Sequence, residues 1–255
     1  MKLVILAGGY GTRISEETDR IPKPMIEVGN RPVIWHLIKY YSHFGINEFI
    51  ICCGYRGYAI KEYFMNYFTH MSDLTVDLSD GTTKVHREFS EPWKVTLVDT
   101  GDSTQTGGRL KRVADYLDDE TFCFTYGDGL SDIDIRKEIE FHKKHKKLAT
   151  IAAVKPPGRY GALEINDEKV TDFAEKPPGD GGFINGGYFV LEPECLQLIE
   201  SDDDSWEIKP LKKLAESGNL MAFQHEGFWQ PMDTLREKNL LEEMWTSGSA
   251  PWKIW

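Results

Sequence analysis

Short apolar runs rich in β-branched residues alternate with stretches of helical period along most of the chain, and this alternation constrains the fold more than any other feature. The runs that read as strands are Leu3–Ala7, Phe49–Gly54, Val95–Thr100, Phe122–Tyr126, Thr150–Val154, Gly187–Leu191 and Leu220–Gln224. The stretches that read as helices are Pro32–His43, Ile60–Phe68, Arg109–Leu117, Ile135–Lys146, Ile208–Glu216 and Leu235–Met244. Asn30 is predicted to cap the first of these helices.

This order of elements predicts a single α/β domain over residues 1–255, with a Rossmann-like, mostly parallel mixed sheet and helices on both faces. Ligands of such sheets bind beyond the carboxyl ends of the strands. We therefore expect the functional residues to lie in the loops that follow Leu6, Val98 and Tyr126.

Two segments interrupt the alternation. Residues 74–89 read as a small β-hairpin insertion around Asp80-Gly81, and a surface ornament and a subunit contact explain it equally well. The tail Ala250–Trp255 carries two tryptophans, which should pack either on their own domain or on a neighbouring subunit.

Charge and composition exclude several classes of protein. The formal net charge of −11 argues against a broad surface for nucleic acid, which needs a basic face. No apolar run is long enough to span a membrane or to act as a signal sequence, so we expect a soluble, cytoplasmic protein. The four cysteines lack the spacing of a zinc site, and we expect them to be buried and reduced.

The first predicted strand runs directly into the glycine-rich sequence GGYGTR at residues 8–13. Glycines let the backbone approach a ligand closely and turn successive N–H groups toward anionic oxygens. Arg13 adds a forked cationic donor, and Lys23 lies between two prolines that stiffen its segment. A dinucleotide fingerprint would need glycine in place of Ile14, and the Gly-Lys-Ser/Thr of a P-loop is absent.

Two aspartates are candidate metal ligands. Asp128 follows the strand Phe122–Tyr126 between two glycines, and Asp233 precedes the last helix. Mg²⁺ prefers one or two protein carboxylates, with phosphate and water completing its shell. Each aspartate also has an ordinary explanation, since Asp-Gly is a common turn and Asp233 stands beside a TxxE capping box formed by Thr234 and Glu237.

Several extended strings together resemble the sugar-1-phosphate nucleotidyltransferase family over nearly the full length: LVILAGGYGTR, IPKPM, VDTGDSTQTGGRLKRV, FTYGDG, EKPPGDGG, INGGYFVL and FWQPMDT. The resemblance implies the nucleotide-diphospho-sugar transferase fold and a Mg²⁺-dependent reaction of a nucleoside triphosphate with a sugar 1-phosphate. It is strongest to members that use CTP and glucose 1-phosphate for deoxysugar and lipopolysaccharide O-antigen biosynthesis. Nothing in the spacing of the residues distinguishes CTP from UTP or dTTP.

The resemblance also implies roles for individual residues. It makes Arg13, Lys23 and Lys176 catalytic and assigns the metal to Asp128 and Asp233. It assigns nucleotide binding to Leu6, Ala7, Gly8, Gly9, Gly11, Thr12, Arg13, Lys23, Ser103, Thr104, Gly108 and Gly127. It assigns the sugar phosphate to Gly161, Glu175, Lys176 and Asn185.

Relatives in this family form symmetric oligomers, so a homo-oligomer such as a hexamer is expected. Two other classes of function stay open at this point. A nicotinamide-dependent oxidoreductase is disfavoured by the missing third glycine of the fingerprint. A non-catalytic regulatory protein that binds sugar nucleotides is disfavoured because Arg13, Lys23, Asp128 and Asp233 are all present.

Overall fold

A seven-stranded sheet organises the chain in the computed structural model, which describes residues 1–11, 14, 21–87, 90–157, 162–166, 169–174 and 182–255. In chain order the strands are β1 (Leu3–Ala7), β2 (Glu27–Val28), β3 (Arg31–Pro32), β4 (Glu48–Cys53), β5 (Asp73–Asp77), β6 (Thr82–Arg87), β7 (Lys94–Asp99), β8 (Phe122–Tyr126), β9 (Gly129–Ser131), β10 (Ala149–Val154), β11 (Ala162–Asn166), β12 (Lys169–Ala174), β13 (Ile184–Leu191), β14 (Leu220–His225) and β15 (Trp229–Pro231). The α-helices are α1 (Val33–His43), α2 (Gly57–Met65), α3 (Tyr67–Met71), α4 (Thr106–Arg112), α5 (Ile135–His145), α6 (Lys209–Glu216) and α7 (Leu235–Thr246).

The order of strands in the large sheet is β14-β10-β13-β8-β1-β4-β7. Strand β13 runs antiparallel to both of its neighbours, β10 and β8, whereas the other adjacent pairs of this sheet are parallel. The predicted mixed, mostly parallel α/β sheet is therefore confirmed. Its carboxyl edge gathers the ends of β1 and β8, which are hydrogen-bonded neighbours.

Strand β1 is buried on both faces, as the middle strand of a layered α/β domain should be. Leu3 and Ile5 pack into one hydrophobic core, while Val4 and Leu6 pack into the core on the opposite face. The two cores place apolar helix faces on either side of the sheet, and they hold β1 rigidly where the glycine-rich loop begins.

The start of the first helix differs from the prediction. Asn30 does not cap it, because Glu27–Val28 and Arg31–Pro32 pair as short antiparallel strands and Asn30 lies in the turn between them, with a φ of 59°. Asparagine tolerates this left-handed conformation better than most residues. Pro32 occupies the N-cap position of α1, without a side-chain hydrogen bond.

Two other predicted helices have different bounds from those expected. The stretch Ile60–Phe68 is divided into α2 and α3 at Asn66. Helix α4 begins at Thr106 and ends at Arg112, and a 3₁₀ turn continues the chain over Ala114–Tyr116. Helical periodicity persists through such breaks, so it cannot locate them.

The two segments outside the main alternation have different surroundings. Strands β5 and β6 form the predicted hairpin, on which Val76 and Leu78 are exposed, while Phe89 lies outside the described residues. In the tail, Trp252 is fully buried and stacks on Phe228, so the tail packs on its own domain.

All four cysteines are buried and unpaired. Within the described ranges, no helix has the length and apolar character needed to cross a bilayer.

Glu138 on α5 makes the stability of the fold depend on pH. Its side chain is fully buried, one carboxylate oxygen has no hydrogen-bond partner in the described chain, and burial raises the pKa from 4.5 to about 8. The folded protein therefore holds a proton that the unfolded chain releases between these two pH values, so the free energy of unfolding should fall as pH rises from about 5 to 8. The slope contributed by this group is at most about 1.4 kcal/mol per pH unit.

Urea denaturation of wild type and Glu138→Gln at several pH values would check this. The variant should lose that part of the slope and should be the more stable protein at pH 8. Equal slopes for the two proteins would contradict the assignment.

Candidate active site

The glycine-rich loop leaves β1 at the carboxyl edge of the sheet, next to the end of β8. The N–H of Gly127 donates to the carbonyl oxygen of Leu6 over 2.9 Å. A β-carbon at Gly127 would lie only 2.7 Å from that oxygen, so the close approach of the two chains requires glycine. Both chain segments border a cavity of about 730 Å³.

This cavity collects most of the described residues that the sequence assigned to the nucleotide. Leu6, Ala7, Gly9, Gly11, Lys23 and Gly127 line it. Gly8 is part of the same loop but is not among the lining residues, and its carbonyl oxygen accepts a hydrogen bond from the N–H of Tyr55. Thr12 and Arg13 lie outside the described residues.

Among the described residues that line this cavity, Lys23 carries the cationic side chain. It begins a 3₁₀ turn over Lys23–Met25, and only 8% of its surface is exposed. Its ammonium group lies 2.5 Å from Asp128 Oδ2 and 2.5 Å from Asp233 Oδ1. Burial alone would lower the pKa of Lys23, but the charge of Asp128 and the hydrogen bonds to both aspartates outweigh burial and raise it. Lys23 is therefore charged at every physiological pH.

A short antiparallel pair brings the two aspartates together. Strands β9 and β15 place Gly129 opposite Pro231, and the N–H of Met232 donates to the carbonyl of Asp128 over 2.8 Å. Asp128 and Asp233 flank this ladder, so their carboxylates reach the same ammonium group. The ladder is what joins two points of the chain that are 105 residues apart in sequence.

The capping box beside Asp233 is formed as the sequence predicted. Thr234 accepts from the N–H of Glu237, and Glu237 accepts from the N–H groups of Asp233 and Thr234. Capping of α7 thus falls to Thr234, while the carboxylate of Asp233 turns toward Lys23. Asp132 and Asp134 are alternative carboxylates that the sequence places close to Asp128, and both were expected to cap the following helix. Asp134 does cap α5, whereas Asp132 lies 2.9 Å from His225.

The donor set fits a hard divalent cation. Two carboxylates from distant parts of the chain converge on one positive charge at the wall of an open cavity. Mg²⁺ takes few protein carboxylates and completes its shell with phosphate and water. Among the described residues, no group of three or more histidine, cysteine or acidic side chains could hold a metal ion, so a metal at this position would have two protein carboxylates as ligands.

Three of the residues assigned to the nucleotide, Ser103, Thr104 and Gly108, are not among the described residues that line this cavity. Gly107 and Gly108 let α4 pack closely on the segment Asp202–Trp206, because a β-carbon at either glycine would lie 2.6 Å from its backbone. Thr104 is nearly buried and Ser103 is exposed, and Thr106 at the start of α4 borders the cavity.

Arg109 is a buried cation that sequence reasoning did not select. Its guanidinium donates to Thr100 Oγ1 and to the carbonyls of Gly101 and Asp102, at 2.9, 2.6 and 3.0 Å. Burial lowers its pKa. A β-carbon at Gly8 would lie 2.1 Å from this group, so the guanidinium supports the back of the glycine-rich loop. The sequence feature that could have identified Arg109 is the pair of glycines directly before it, since a cation that follows two glycines in an acidic chain is a candidate for close packing against a loop.

The end of the cavity that was assigned to the sugar is built by the start of β13. Asn185 lines it, and its side-chain oxygen accepts from the N–H of Gly187 over 2.8 Å. Trp229 donates to the carbonyl of Gly186 over 2.7 Å and closes one side. Gly161, Glu175 and Lys176 lie outside the described residues. Tyr126, Glu207 and Trp229 also line the cavity, although none of them was assigned a role from the sequence. Tyr126 and Trp229 stand within the strings FTYGDG and FWQPMDT, whereas Glu207 is in none of the strings that carry the resemblance.

Comparisons with known proteins show which family the chain resembles. A family model described as nucleotidyl transferase matches residues 2–243. The chain is 61% identical over 256 residues to the glucose-1-phosphate cytidylyltransferase of Salmonella typhimurium, with 100% of both chains covered. It is 43% identical over 258 residues to the probable glucose-1-phosphate cytidylyltransferase of Bacillus subtilis, again with 100% of both covered. The crystal structure of HddC from Yersinia pseudotuberculosis matches with a TM-score of 0.70 at 25% identity, covering 96% of this chain and 99% of that one.

Proposed function

This chain belongs to the nucleotidyl transferase family, and we propose that it transfers a cytidylyl group from CTP to α-D-glucose 1-phosphate. The products are CDP-glucose and pyrophosphate. Its fold is that of the nucleotide-diphospho-sugar transferases. The choice of CTP and glucose 1-phosphate follows from the relative in Salmonella typhimurium, which is similar over its whole length.

The reaction is a direct in-line displacement. A phosphate oxygen of glucose 1-phosphate attacks the α-phosphorus of CTP, a new P–O bond forms, and the bond from that phosphorus to the oxygen bridging it to the β-phosphorus breaks. The leaving group is pyrophosphate. Because the nucleophile is already an anion, the reaction needs no general base, and catalysis consists of alignment and charge stabilisation.

One observation carries this proposal: a glycine-rich loop, a buried lysine and two distant aspartates border the same cavity. Two polyanions must come within bonding distance inside an acidic protein, which is costly without fixed cations. Lys23 supplies one such charge at the cavity wall, and we assign Arg13 and Lys176 to the same task.

Enzymes of this family generally use a divalent metal, and we propose that Mg²⁺ is the metal. Asp128 and Asp233 would hold it. Bound there, it would offset negative charge on the triphosphate. Lys23, which pairs with these carboxylates, is then the residue placed to contact the nucleotide's phosphates.

The backbone of the glycine-rich loop, from Leu6 to Thr12, would bind the triphosphate together with Gly127. The residues Ser103, Thr104 and Gly108 would lie toward the base. Gly161, Glu175 and Asn185 would hold the hexose.

We further propose that the protein is a homo-oligomer in which the hairpin of β5 and β6 contacts a neighbouring subunit, since burial in an interface would remove its exposed Val76 and Leu78 from water. Its product would serve deoxysugar and O-antigen biosynthesis.

Pyrophosphate release tests the proposed function. CTP, UTP, dTTP and GTP would each be supplied with glucose 1-phosphate and with mannose 1-phosphate. We expect CTP with glucose 1-phosphate to give the highest kcat/KM by at least about tenfold. A preference for UTP or dTTP would replace the cytidylyl assignment within the family, and binding of CDP-glucose without any pyrophosphate release would indicate a non-catalytic protein.

A further inference from the structure

Glu207 lies at the end of the cavity where the start of β13 meets the end of β8, and the proposed reaction does not use it. We propose that Glu207 is a positioning residue for the acceptor sugar phosphate and acts through Tyr126 on Asn185. This inference rests on the proposed function, because it takes a sugar 1-phosphate as the acceptor.

The carboxylate of Glu207 is fixed by three hydroxyl groups from separate parts of the chain. Tyr126 donates to one oxygen over 2.6 Å. Thr106 and Ser205 donate to the other oxygen, each over 2.6 Å. Charged acceptors make hydrogen bonds roughly twice as strong as neutral ones, so the carboxylate holds these hydroxyls in one orientation.

Thr106, one of the hydroxyl donors to Glu207, is held in place by further contacts. Thr106, at the start of α4, accepts from the N–H of Trp206, and the side chain of Trp206 is fully buried. Gly107 donates to the carbonyl of Asp204. In the described chain, no lysine or arginine pairs with Glu207, so its hydrogen bonds to hydroxyls are not shared with a neighbouring cation.

Tyr126 connects Glu207 to Asn185, because its hydroxyl donates to Glu207 and faces the amide nitrogen of Asn185. Its ring packs against Phe124 and Phe189, so removal of the hydroxyl alone leaves that packing intact. Burial, and next the negative charge of Glu207, raise the pKa of Tyr126 well above its ordinary value. The hydroxyl is therefore always protonated, donates its proton to Glu207 and presents only lone pairs to other groups.

The side-chain amide of Asn185 is the group that these contacts orient. Its amide nitrogen lies 3.4 Å from the Tyr126 hydroxyl, and its amide oxygen accepts from Gly187. These two contacts fix which end of the amide carries the N–H groups. One N–H points to Tyr126, and the second has no partner in the described chain, which makes it available to an acceptor oxygen of the sugar.

Steady-state kinetics of Tyr126→Phe and Glu207→Gln test this relay, in which Glu207 orients Asn185 through the hydroxyl of Tyr126. We expect each change to raise KM for glucose 1-phosphate about five- to tenfold, the usual effect of one lost hydrogen bond. KM for CTP and kcat should stay within about twofold. Glutamine keeps the shape of the side chain but replaces an acceptor oxygen with an N–H donor, which cannot accept from the hydroxyls it faces.

The double variant separates a relay from two independent contributions. If Glu207 acts through Tyr126, the double variant should raise KM for the sugar no further than the larger single change. Independent roles would multiply the two effects, and that result would overturn the proposal. Thermal unfolding checks that the variants are folded. If Glu207→Gln does not fold, Tyr126→Phe alone decides, because an unchanged sugar KM in that variant also overturns it.

Two control variants match these changes at exposed positions away from the cavity, Tyr116→Phe and Glu194→Gln, and both should leave every constant unchanged. If wild type prefers another sugar 1-phosphate, the proposed function fails for glucose, and the same variants measured with that acceptor still decide the relay. If wild type uses no sugar 1-phosphate at all, both proposals fall.

Discussion

Replacing Lys23 with methionine is expected to lower kcat roughly a hundredfold or more, as does the loss of one preorganised charge donor in other enzymes. Methionine keeps most of the apolar stem in its buried position and removes only the charge. The ammonium of Lys23 is the described cation that both Asp128 and Asp233 contact at the cavity wall. In the proposed reaction, its removal leaves the charge that develops on the leaving pyrophosphate with one fixed cation fewer.

The measurement is pyrophosphate release with saturating CTP and glucose 1-phosphate. Lys39→Met is the matched control, because Lys39 is also partly buried and paired with a carboxylate, that of Glu91, but does not line the cavity. The control should keep kcat within about twofold. A turnover within threefold of wild type in Lys23→Met would remove Lys23 from the catalytic residues.

Replacing Asp128 with asparagine should abolish most of the activity together with its dependence on Mg²⁺. Asparagine keeps the shape of the side chain but loses the negative charge that a divalent cation needs, and only Asp233 would remain as a carboxylate ligand. The variant should also bind Mn²⁺ more weakly when binding is followed by electron paramagnetic resonance without substrates.

The control for this change is Asp132→Asn, since Asp132 follows Asp128 closely in the chain but pairs with His225. It should titrate with Mg²⁺ as wild type does. An Asp128→Asn variant with the wild-type Mg²⁺ titration and the wild-type affinity for Mn²⁺ would disprove the metal assignment.

The sequence predicted those parts of the fold that local pattern decides. Strand β1 has the predicted bounds because its apolar run is bounded by the glycines of the loop. The predicted N-cap of α1, Asn30, was wrong, because the small pair of β2 and β3 depends on contacts between residues on either side of Asn30. The break at Asn66 likewise leaves the helical period unchanged, so no local pattern reveals it.

The candidate site shows the same division. The glycine-rich loop, Lys23, Asp128 and Asp233 could be named from their motifs. Their joint contact could not, because Lys23 lies 105 and 210 residues away from the two aspartates and the ladder of β9 and β15 brings them together. Glu207 was missed because its importance comes from hydrogen bonds of an exposed carboxylate to hydroxyls of other elements, which leave no signature in sequence spacing. Arg109 was missed because its hydrogen bonds form only in the folded chain, and the two glycines before it were the one local sign of its position.

The reversed direction of β13 allows the two substrates to be handled by different segments of chain. Because β13 runs opposite to β8, its beginning, and not its end, reaches the edge where β1 and β8 finish. In the proposed assignment, the turn after β1 binds the nucleotide, and the entry to β13 binds the acceptor sugar phosphate. We therefore expect laboratory evolution toward a new hexose phosphate to vary Ile184 and Asn185, because a β-carbon at Gly186 or Gly187 would lie 2.6 Å from Val154 or Tyr126.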